Sequence, residues 1–226
     1  MSPGGRKRWV QPLAPGERRL FIAVPLGDDA REAVARLMAG LGAPPEGGRS
    51  PDPTAPPAAR LRWVRSSNLP LTLRFLGATP AASIAALEAA VDATARGAAP
   101  FEVRLSGAGA FPSPARPRAV FLRVGDGAAH LSALADRLES ALVAGGWPPA
   151  ERPFAAHLTL ARSDGVPGAP AAVEALIGAS ALLEAAWTVD RIVLFESVIG
   201  GGPARYVPLR RANLDGAALR EPGGAL

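Results

Sequence analysis

The sequence contains no cysteine and only two histidines, His130 and His157, among its 226 residues. The absence of cysteine excludes disulfide bonds, thiolate nucleophiles and cysteine-ligated metal ions within this chain. Two histidines are also too few for a multi-histidine metal site. We therefore expect no cofactor, and any catalysis should proceed without a metal ion.

The sequence also lacks long apolar runs. None approaches the roughly 18 residues that a membrane-spanning helix needs, and the first 18 residues are rich in Pro, Gly and Arg without the apolar centre of a signal peptide. We therefore expect a cytoplasmic protein with no membrane contact. Its 48% hydrophobic content favours a globular chain that folds unaided, and we expect a monomer.

Positive charge exceeds negative charge in this sequence. It has 25 Lys and Arg against 20 Asp and Glu, a formal net charge of +5. Abundant Ala, Gly, Pro and Arg is typical of GC-rich coding sequence, so part of this excess reflects codon usage. The remaining charge modestly favours polyanionic ligands.

Two similar stretches carry the strongest functional signal. His157-Leu158-Thr159-Leu160 alternates polar and apolar residues in a β-prone run, which places the imidazole and the hydroxyl on one strand face. Such a pair can bind and attack a phosphate. Upstream, Pro70-Leu71-Thr72-Leu73 repeats the pattern with proline in place of histidine, and 157 minus 70 separates the motifs by 87 residues.

Each motif follows a similar order of predicted elements. A strand over Leu20–Val24 and a helix over Asp28–Leu41 precede the first motif, with Asp28 or Asp29 available as the helix N-cap. A strand over Val120–Val124 and a helix over Ala128–Ala144 precede the second. This recurrence predicts two lobes of one duplicated unit, related by a pseudo-twofold axis that would face the motifs across a cleft.

The rest of the chain predicts an α+β fold. We expect further strands at Leu61–Val64, Phe101–Leu105 and Trp187–Phe195, and helices at Ala81–Thr94 and Ala171–Ile177. Trp63 and Phe75 are predicted core residues. Composition predicts disordered tails at residues 1–18 and 215–226 and a flexible insertion at 43–60, which leaves one bilobal domain over 19–214.

Several stretches besides the two motifs carry a family resemblance that runs from about Arg19 to Leu214. They are Arg19–Leu26, Gly109–Pro112, Pro153–Phe154, Val193–Ser197 and Tyr206–Leu209. Together they resemble the two-histidine phosphoesterase superfamily, in particular its RNA 2',3'-cyclic phosphodiesterase branch, historically called 2'-5' RNA ligases. The resemblance implies two pseudo-symmetric lobes, each an antiparallel sheet backed by helices, with a central cleft.

The resemblance also implies roles for individual residues. Hydrolysis of a 2',3'-cyclic phosphate needs a base, an acid and hydrogen-bond donors for the phosphoryl oxygens. By resemblance His157 is the base, Thr72 and Thr159 are the donors, and Pro70 stands in the place of the acid. Arg162 matches an arginine that contacts phosphate, and Arg74 is a second candidate for such a contact. Because proline cannot transfer a proton, we expect impaired activity.

The implied substrates are RNA or oligonucleotide ends with a 2',3'-cyclic phosphate, or small cyclic nucleotides. Two alternatives stay open from sequence: a non-catalytic protein that binds RNA ends or nucleotides, and an interaction protein with a vestigial cleft. His130 is a conceivable substitute acid. It falls at the start of a predicted helix, however, where an exposed histidine is ordinary.

Overall fold

A computed structural model describes residues 12–52, 54–163, 167–200 and 203–216. Within these ranges nine strands and four α-helices form, and a short 3-10 turn at Ala81–Ser83 leads into the second helix. No helix of these ranges has the length and apolar character to cross a membrane. In chain order the elements are β1 (Glu17–Pro25), α1 (Asp28–Gly40), β2 (Arg62–Trp63), β3 (Pro70–Pro80), α2 (Ile84–Ala95), β4 (Phe101–Phe111), β5 (Ala119–Val124), α3 (Ala128–Ala144), β6 (His157–Arg162), α4 (Ala169–Ser180), β7 (Ala186–Val189), β8 (Arg191–Val198) and β9 (Arg205–Asn213).

The strands form two sheets. Sheet A has the order β3-β1-β8-β9, and sheet B has the order β2-β6-β5-β4-β7. Every neighbouring pair is antiparallel. The predicted α+β fold with two antiparallel lobes is therefore confirmed.

The predicted recurrence is present in the topology. β1 and β3 lie side by side in sheet A with α1 between them in sequence, and β5 and β6 lie side by side in sheet B with α3 between them. β3 and β6 approach each other where the two sheets meet. The two motif-bearing strands are thus brought together at the centre of the molecule.

Two of the four α-helices in the described ranges, α1 and α3, pack against the sheet to which their preceding strand does not belong. α1 follows a strand of sheet A but packs against β7 of sheet B, where Gly27 lies so close to Trp187 that a Cβ would come within 2.8 Å of its Cβ. α3 follows a strand of sheet B but packs against β3 of sheet A and against α2, which itself packs on β8 and β9 of sheet A. The buried apolar residues of both lobes form one continuous core cluster.

Three local predictions differ from the structure. Gly27, not an aspartate, holds the N-cap position of α1, while Asp28 and Asp29 lie in the first turn, where negative charge favours the helix dipole. The predicted strand Trp187–Phe195 is two strands divided at Asp190, where the chain passes from sheet B to sheet A. Glu17 and Arg18, assigned to the N-terminal tail, belong to β1, and residues 1–11 and 217–226 of the two predicted tails lie outside the described residues.

The two aromatic residues assigned to the core have opposite outcomes. Trp63 is only 2% exposed, and its indole Nε1 donates to the Ala58 carbonyl at 2.8 Å, so this prediction is confirmed. Phe75 is 66% exposed, so that prediction is wrong. A break in the pairing of β3, described below, turns Phe75 away from the buried face.

The segment at 43–60 contains no helix or strand in its described part, residues 43–52 and 54–60. It nevertheless buries Ala58 and Ala59, and the Ser50 amide donates to the Ala59 carbonyl at 2.9 Å. Gly48 forms an isolated bridge with Trp63. These contacts attach the segment to β2, and its predicted flexibility stays a prediction.

A pair of glycine substitutions tests how closely α3 fits against β4. Gly127 and Gly146 both have a left-handed backbone, with φ of +80° and +87°. A Cβ at Gly127 would lie 2.2 Å from the Glu102 carbonyl oxygen, whereas a Cβ at Gly146 meets nothing within 4 Å. We expect Gly146→Ala to cost about 1 to 2 kcal/mol of unfolding free energy and Gly127→Ala roughly 2 to 5 kcal/mol in chemical denaturation. Equal losses would contradict the close packing at Gly127.

Candidate active site

A β-bulge determines which residues of β6 face the cleft. Thr159 pairs with Phe121 and Ala161 pairs with Val120, so Leu160 is an extra residue between them. An extra residue reverses the alternation of side chains beyond it. Arg162, opposite Ala119, therefore shares a face with His157 and Thr159.

β3 contains the equivalent irregularity. Thr72 pairs with Ala23 and Arg74 pairs with Ile22, so Leu73 is the extra residue. Leu73 and Leu160 occupy the same position in the two motifs, directly after the threonine. Beyond the bulge the face reverses, and Arg74 turns to the side of the buried Ile22.

The His157 imidazole is oriented by its neighbours. Nδ1 lies 2.6 Å from the Ala155 carbonyl oxygen. The rings of Phe111 and Phe121 meet the imidazole edge-on, with centroid separations of 5.1 and 5.2 Å. A neutral ring that donates Nδ1–H to a carbonyl carries its lone pair on Nε2. Nε2 is therefore the atom available to accept a proton.

The two motif threonines have their hydroxyls available. Thr72 and Thr159 are half-buried, and within the described ranges neither hydroxyl bonds to another residue of the protein. Both lie on the cleft side of their strands, as the alternation predicts. Each hydroxyl can donate a hydrogen bond to a bound anion.

Arg162 interacts with sheet A across the cleft. Burial raises the pKa of Tyr206 on β9 above its ordinary value, and the positive charge of Arg162 acts in the opposite direction without cancelling that effect. The Tyr206 phenol therefore stays protonated at neutral pH and can donate a hydrogen bond. The Arg162 guanidinium is therefore close enough to sheet A for its charge to act on Tyr206.

Arg74 does not face the cleft, and its position does not support the predicted phosphate contact. Its Nε lies 3.0 Å from Oε2 of Glu139 on α3, without hydrogen-bond alignment, and its Nη2 donates to the Pro148 carbonyl at 2.7 Å. Only 18% of the side chain is exposed. The Leu73 bulge explains the difference, because it turns Arg74 to the helix side, where it joins β3 to α3.

Pro70 occupies the predicted position of the acid, and His130 is the conceivable substitute acid. Pro70 is the first residue of β3, opposite Pro25, where a missing N–H costs no ladder bond. His130 is exposed on α3 and stacks on Phe101 with a centroid separation of 5.3 Å. His130 thus contacts the first residue of β4, whereas the His157 ring contacts Phe111, its last residue. Among the described residues no group of three or more metal-ligating side chains occurs.

Sequence reasoning missed the aromatic lining of the cleft. On sheet A the Phe21 ring contacts those of Phe195, Tyr206 and Phe75, with centroid separations of 5.3, 4.7 and 6.2 Å. On sheet B, Phe111 stacks on Phe121 at 4.3 Å. Five of the seven phenylalanines and the only tyrosine are therefore in these two clusters. Period-two alternation predicts the face of Phe21 within β1 and of Phe195 within β8. It does not predict the face of Phe75, because the bulge at Leu73 reverses the alternation of β3.

Sequence reasoning also missed Arg123. It lies on β5 directly opposite His157, on the cleft side of sheet B, and is exposed. Pattern alone gives no signal for it, because an arginine in a strand is usually a solvated side chain. Only the register with β6 places it beside the imidazole.

The 2'-5' RNA ligase superfamily matches residues 51–199 of the chain. The chain belongs to this superfamily. A Thermus thermophilus relative named RNA 2',3'-cyclic phosphodiesterase is 32% identical over 213 residues, which cover 90% of this chain and 93% of the relative. An Escherichia coli relative of the same name is 30% identical over 194 residues, covering 86% and 95%.

Two other relatives of that name match over a smaller share of their own length. An Aeropyrum pernix protein is 37% identical over 118 residues, 51% of this chain and 65% of the relative. A Geobacillus stearothermophilus protein is 33% identical over 179 residues, 78% of this chain and 51% of the relative. The matched part of this chain therefore spans less than two thirds of these two relatives.

Solved structures share the fold. Escherichia coli LigT complexed with NADP+ superposes with a TM-score of 0.64 at 30% identity, covering 88% of this chain and 98% of LigT. A Thermus thermophilus structure superposes with a TM-score of 0.66 at 28% identity over the same shares. LigT has also been solved with 3'-AMP. The bilobal architecture described above is thus that of known superfamily members.

Titration of Tyr206 tests the position of Arg162 without any assay of activity. Tyr206 is the only tyrosine, so phenolate absorbance reports on it alone. Arg162→Gln removes a cation that stabilises the phenolate, and we expect the titration midpoint to move to higher pH. Arg74→Gln serves as the control and should leave the midpoint in place. An unchanged midpoint in Arg162→Gln would show that the guanidinium does not reach the cleft.

Proposed function

We propose that this chain hydrolyses RNA 2',3'-cyclic phosphate ends to 2'-phosphomonoesters, at a rate limited by the loss of one catalytic group. The observation that carries the proposal is the shared face of His157, Thr159 and Arg162 on β6, beside the β3 strand that presents Thr72. A base, two hydroxyl donors and a guanidinium there match the needs of phosphoryl transfer.

The proposed reaction uses side chains of this chain and water, without a metal ion. His157 Nε2 takes a proton from a water molecule as the water oxygen attacks phosphorus. The bond from phosphorus to the 3' oxygen breaks, that oxygen takes up a proton, and the phosphate stays on the 2' oxygen. Thr72 and Thr159 donate hydrogen bonds to the non-bridging oxygens, and Arg162 balances their negative charge.

Pro70 stands where the acid would protonate the leaving oxygen. Alternation places it on the face of Thr72, so a histidine at this position would face the cleft. Without it the leaving oxygen must take its proton from solvent. Loss of a general acid costs ~10²- to 10⁴-fold in rate, which leaves slow turnover.

The aromatic lining supports a substrate with nucleobases. Phe75 is 66% exposed on the cleft side, although a phenylalanine gains stability from burial. Exposed aromatic rings are stacking platforms for unpaired bases. Arg211 adds positive charge from sheet A, because its register through Val193 and Ala23 places it in the row of Thr72. RNA or oligonucleotide ends, or small cyclic nucleotides, fit such a cleft.

A second candidate function is non-catalytic binding of RNA ends or nucleotides. Pro70 favours it, since the substitution removes a proton-transfer group while Thr72, Thr159 and Arg162 still face the cleft. The two candidates differ in whether any product forms. The expectations of a cytoplasmic location and a monomeric state stay predictions.

Restoring the acid tests the proposed function directly. We expect Pro70→His to accelerate hydrolysis of an oligonucleotide with a 2',3'-cyclic phosphate by at least about tenfold, because the groups around the missing acid are present. Product release is measured by separation of cyclic and opened ends. The first position of β3 accepts either residue, so the fold should be retained.

Pro70→Asn is the matched control, since it removes the proline ring and adds a polar side chain that cannot act as an acid. A gain in Pro70→His without a gain in Pro70→Asn supports the missing-acid account. Failure of a correctly folded Pro70→His to gain at least about tenfold would refute it. No turnover in either variant, with retained binding of 2'-phosphate ends, would favour the non-catalytic candidate.

Substitution of each histidine in the parent protein tests which of them contributes to turnover. We expect His157→Ala to abolish residual turnover and His130→Ala to leave it unchanged, because His130 stacks on Phe101 away from the cleft. With one ionising base, the rate should rise with pH to a plateau instead of following a bell. A bell-shaped profile that disappears only in His130→Ala would overturn this assignment.

A further inference from the structure

The cleft side of sheet B presents a second exposed arginine that the proposed mechanism does not use. Arg123 on β5 lies directly opposite His157 in the ladder. Within the described part of the chain no carboxylate forms an ion pair with it. A guanidinium in this position, beside the base and without a protein partner, is available to bind an anion.

Gly109 on the neighbouring strand β4 leaves the space that the Arg123 side chain occupies. A Cβ at Gly109 would lie 3.2 Å from Nη2 of Arg123 and 2.9 Å from Cζ of Phe121. The missing side chain therefore lets the guanidinium and the aromatic ring cover the same surface of the sheet. Since Gly109 belongs to β4, the Arg123 side chain leans away from β6.

The two guanidiniums of this sheet diverge. Arg162 pairs with Ala119, four residues from Arg123 along β5, which is about 13 Å of strand. The charge of Arg162 acts on Tyr206 of sheet A, whereas Nη2 of Arg123 lies over Gly109 of β4. Two strand spacings, about 10 Å, separate β6 from β4. This separation across the sheet suits Arg123 to a second anionic group.

None of the carboxylates that the structure describes forms an ion pair with Arg123. Glu102 on β4 accepts a hydrogen bond from the neutral Thr188 hydroxyl, and Asp126 after β5 lies 3.4 Å from Nε of Arg104. Arg104 is exposed on the strand next to Arg123, but Asp126 balances its charge, which makes it a matched control.

We infer that Arg123 binds a phosphodiester of the RNA chain that leads into the cyclic end. This inference rests on the proposed function and extends it to the nucleotide next to the reacting one. Arg123 is then a specificity-determining residue, which favours oligonucleotide ends over mononucleotides. A mononucleotide has no second phosphate to place there and gains nothing from Arg123.

Binding measured against salt tests this inference. The probes are a single-stranded RNA pentanucleotide that ends in a 2'-phosphate, and adenosine 2'-phosphate. For Arg123→Gln we expect pentanucleotide affinity at low salt to fall about tenfold or more. The slope of log affinity against log salt should shrink by about 0.7 to 1. Adenosine 2'-phosphate should bind within about twofold of the parent, and Arg104→Gln should change neither ligand.

Three results would overturn the inference. Equal weakening of both ligands would place Arg123 at the terminal phosphate, and unchanged pentanucleotide binding would leave it without a ligand. An equal loss of pentanucleotide affinity in Arg104→Gln would show that the effect comes from net positive charge and not from a specific contact of Arg123. Because both probes are products that need no turnover, a failure of the proposed catalysis leaves this measurement interpretable, and the two ideas fail separately.

Discussion

The bulge after each motif threonine is the constraint on which the rest of the cleft depends. A strand without Leu73 as an extra residue would place Arg74 beside Thr72 and Phe75 on the buried face. A strand without Leu160 as an extra residue would turn Arg162 away from His157. The backbone at the second bulge is fixed, because the Leu160 carbonyl accepts a hydrogen bond from the Val64 amide at 2.9 Å. One irregularity, used twice, therefore determines which side chains face the cleft.

The sequence was informative wherever regular periodicity held. The main strands, the helices α1 and α3 and the duplicated order follow from periods of 2 and 3.6 residues, and Thr72 and Thr159 lie on the expected faces. Arg74 and Phe75 follow an extra residue, which alternation cannot detect, so their positions could not be predicted. Arg123 depends on register between strands that are distant in sequence. Such pairing is fixed by tertiary packing, and no local pattern encodes it.

The fold accommodates proline at residue 70, whereas the proposed mechanism loses its acid there. Proline at the first residue of an edge strand leaves the ladder intact, and β3 is an edge of sheet A. Stability therefore places little constraint on residue 70, whereas in the proposed mechanism this residue determines whether a side chain or solvent protonates the leaving oxygen. The imidazole of His157, fixed between two aromatic rings and the Ala155 carbonyl, keeps its orientation regardless of residue 70. Loss of one half of an acid–base pair can thus leave the other half structurally unaffected.

The crossing of α1 and α3 between the lobes gives the duplicated halves an unusual dependence on each other. Each half contributes a helix that covers the other sheet, as in a domain-swapped dimer whose two subunits have been joined into one polypeptide. Each sheet also combines strands of both halves, because sheet A joins β1 and β3 to β8 and β9, and sheet B joins β2 and β4 to β5, β6 and β7. Cutting the chain between β4 and β5 would divide both sheets and separate α1 and α3 from the strands that they cover. We therefore expect neither fragment to fold without the other.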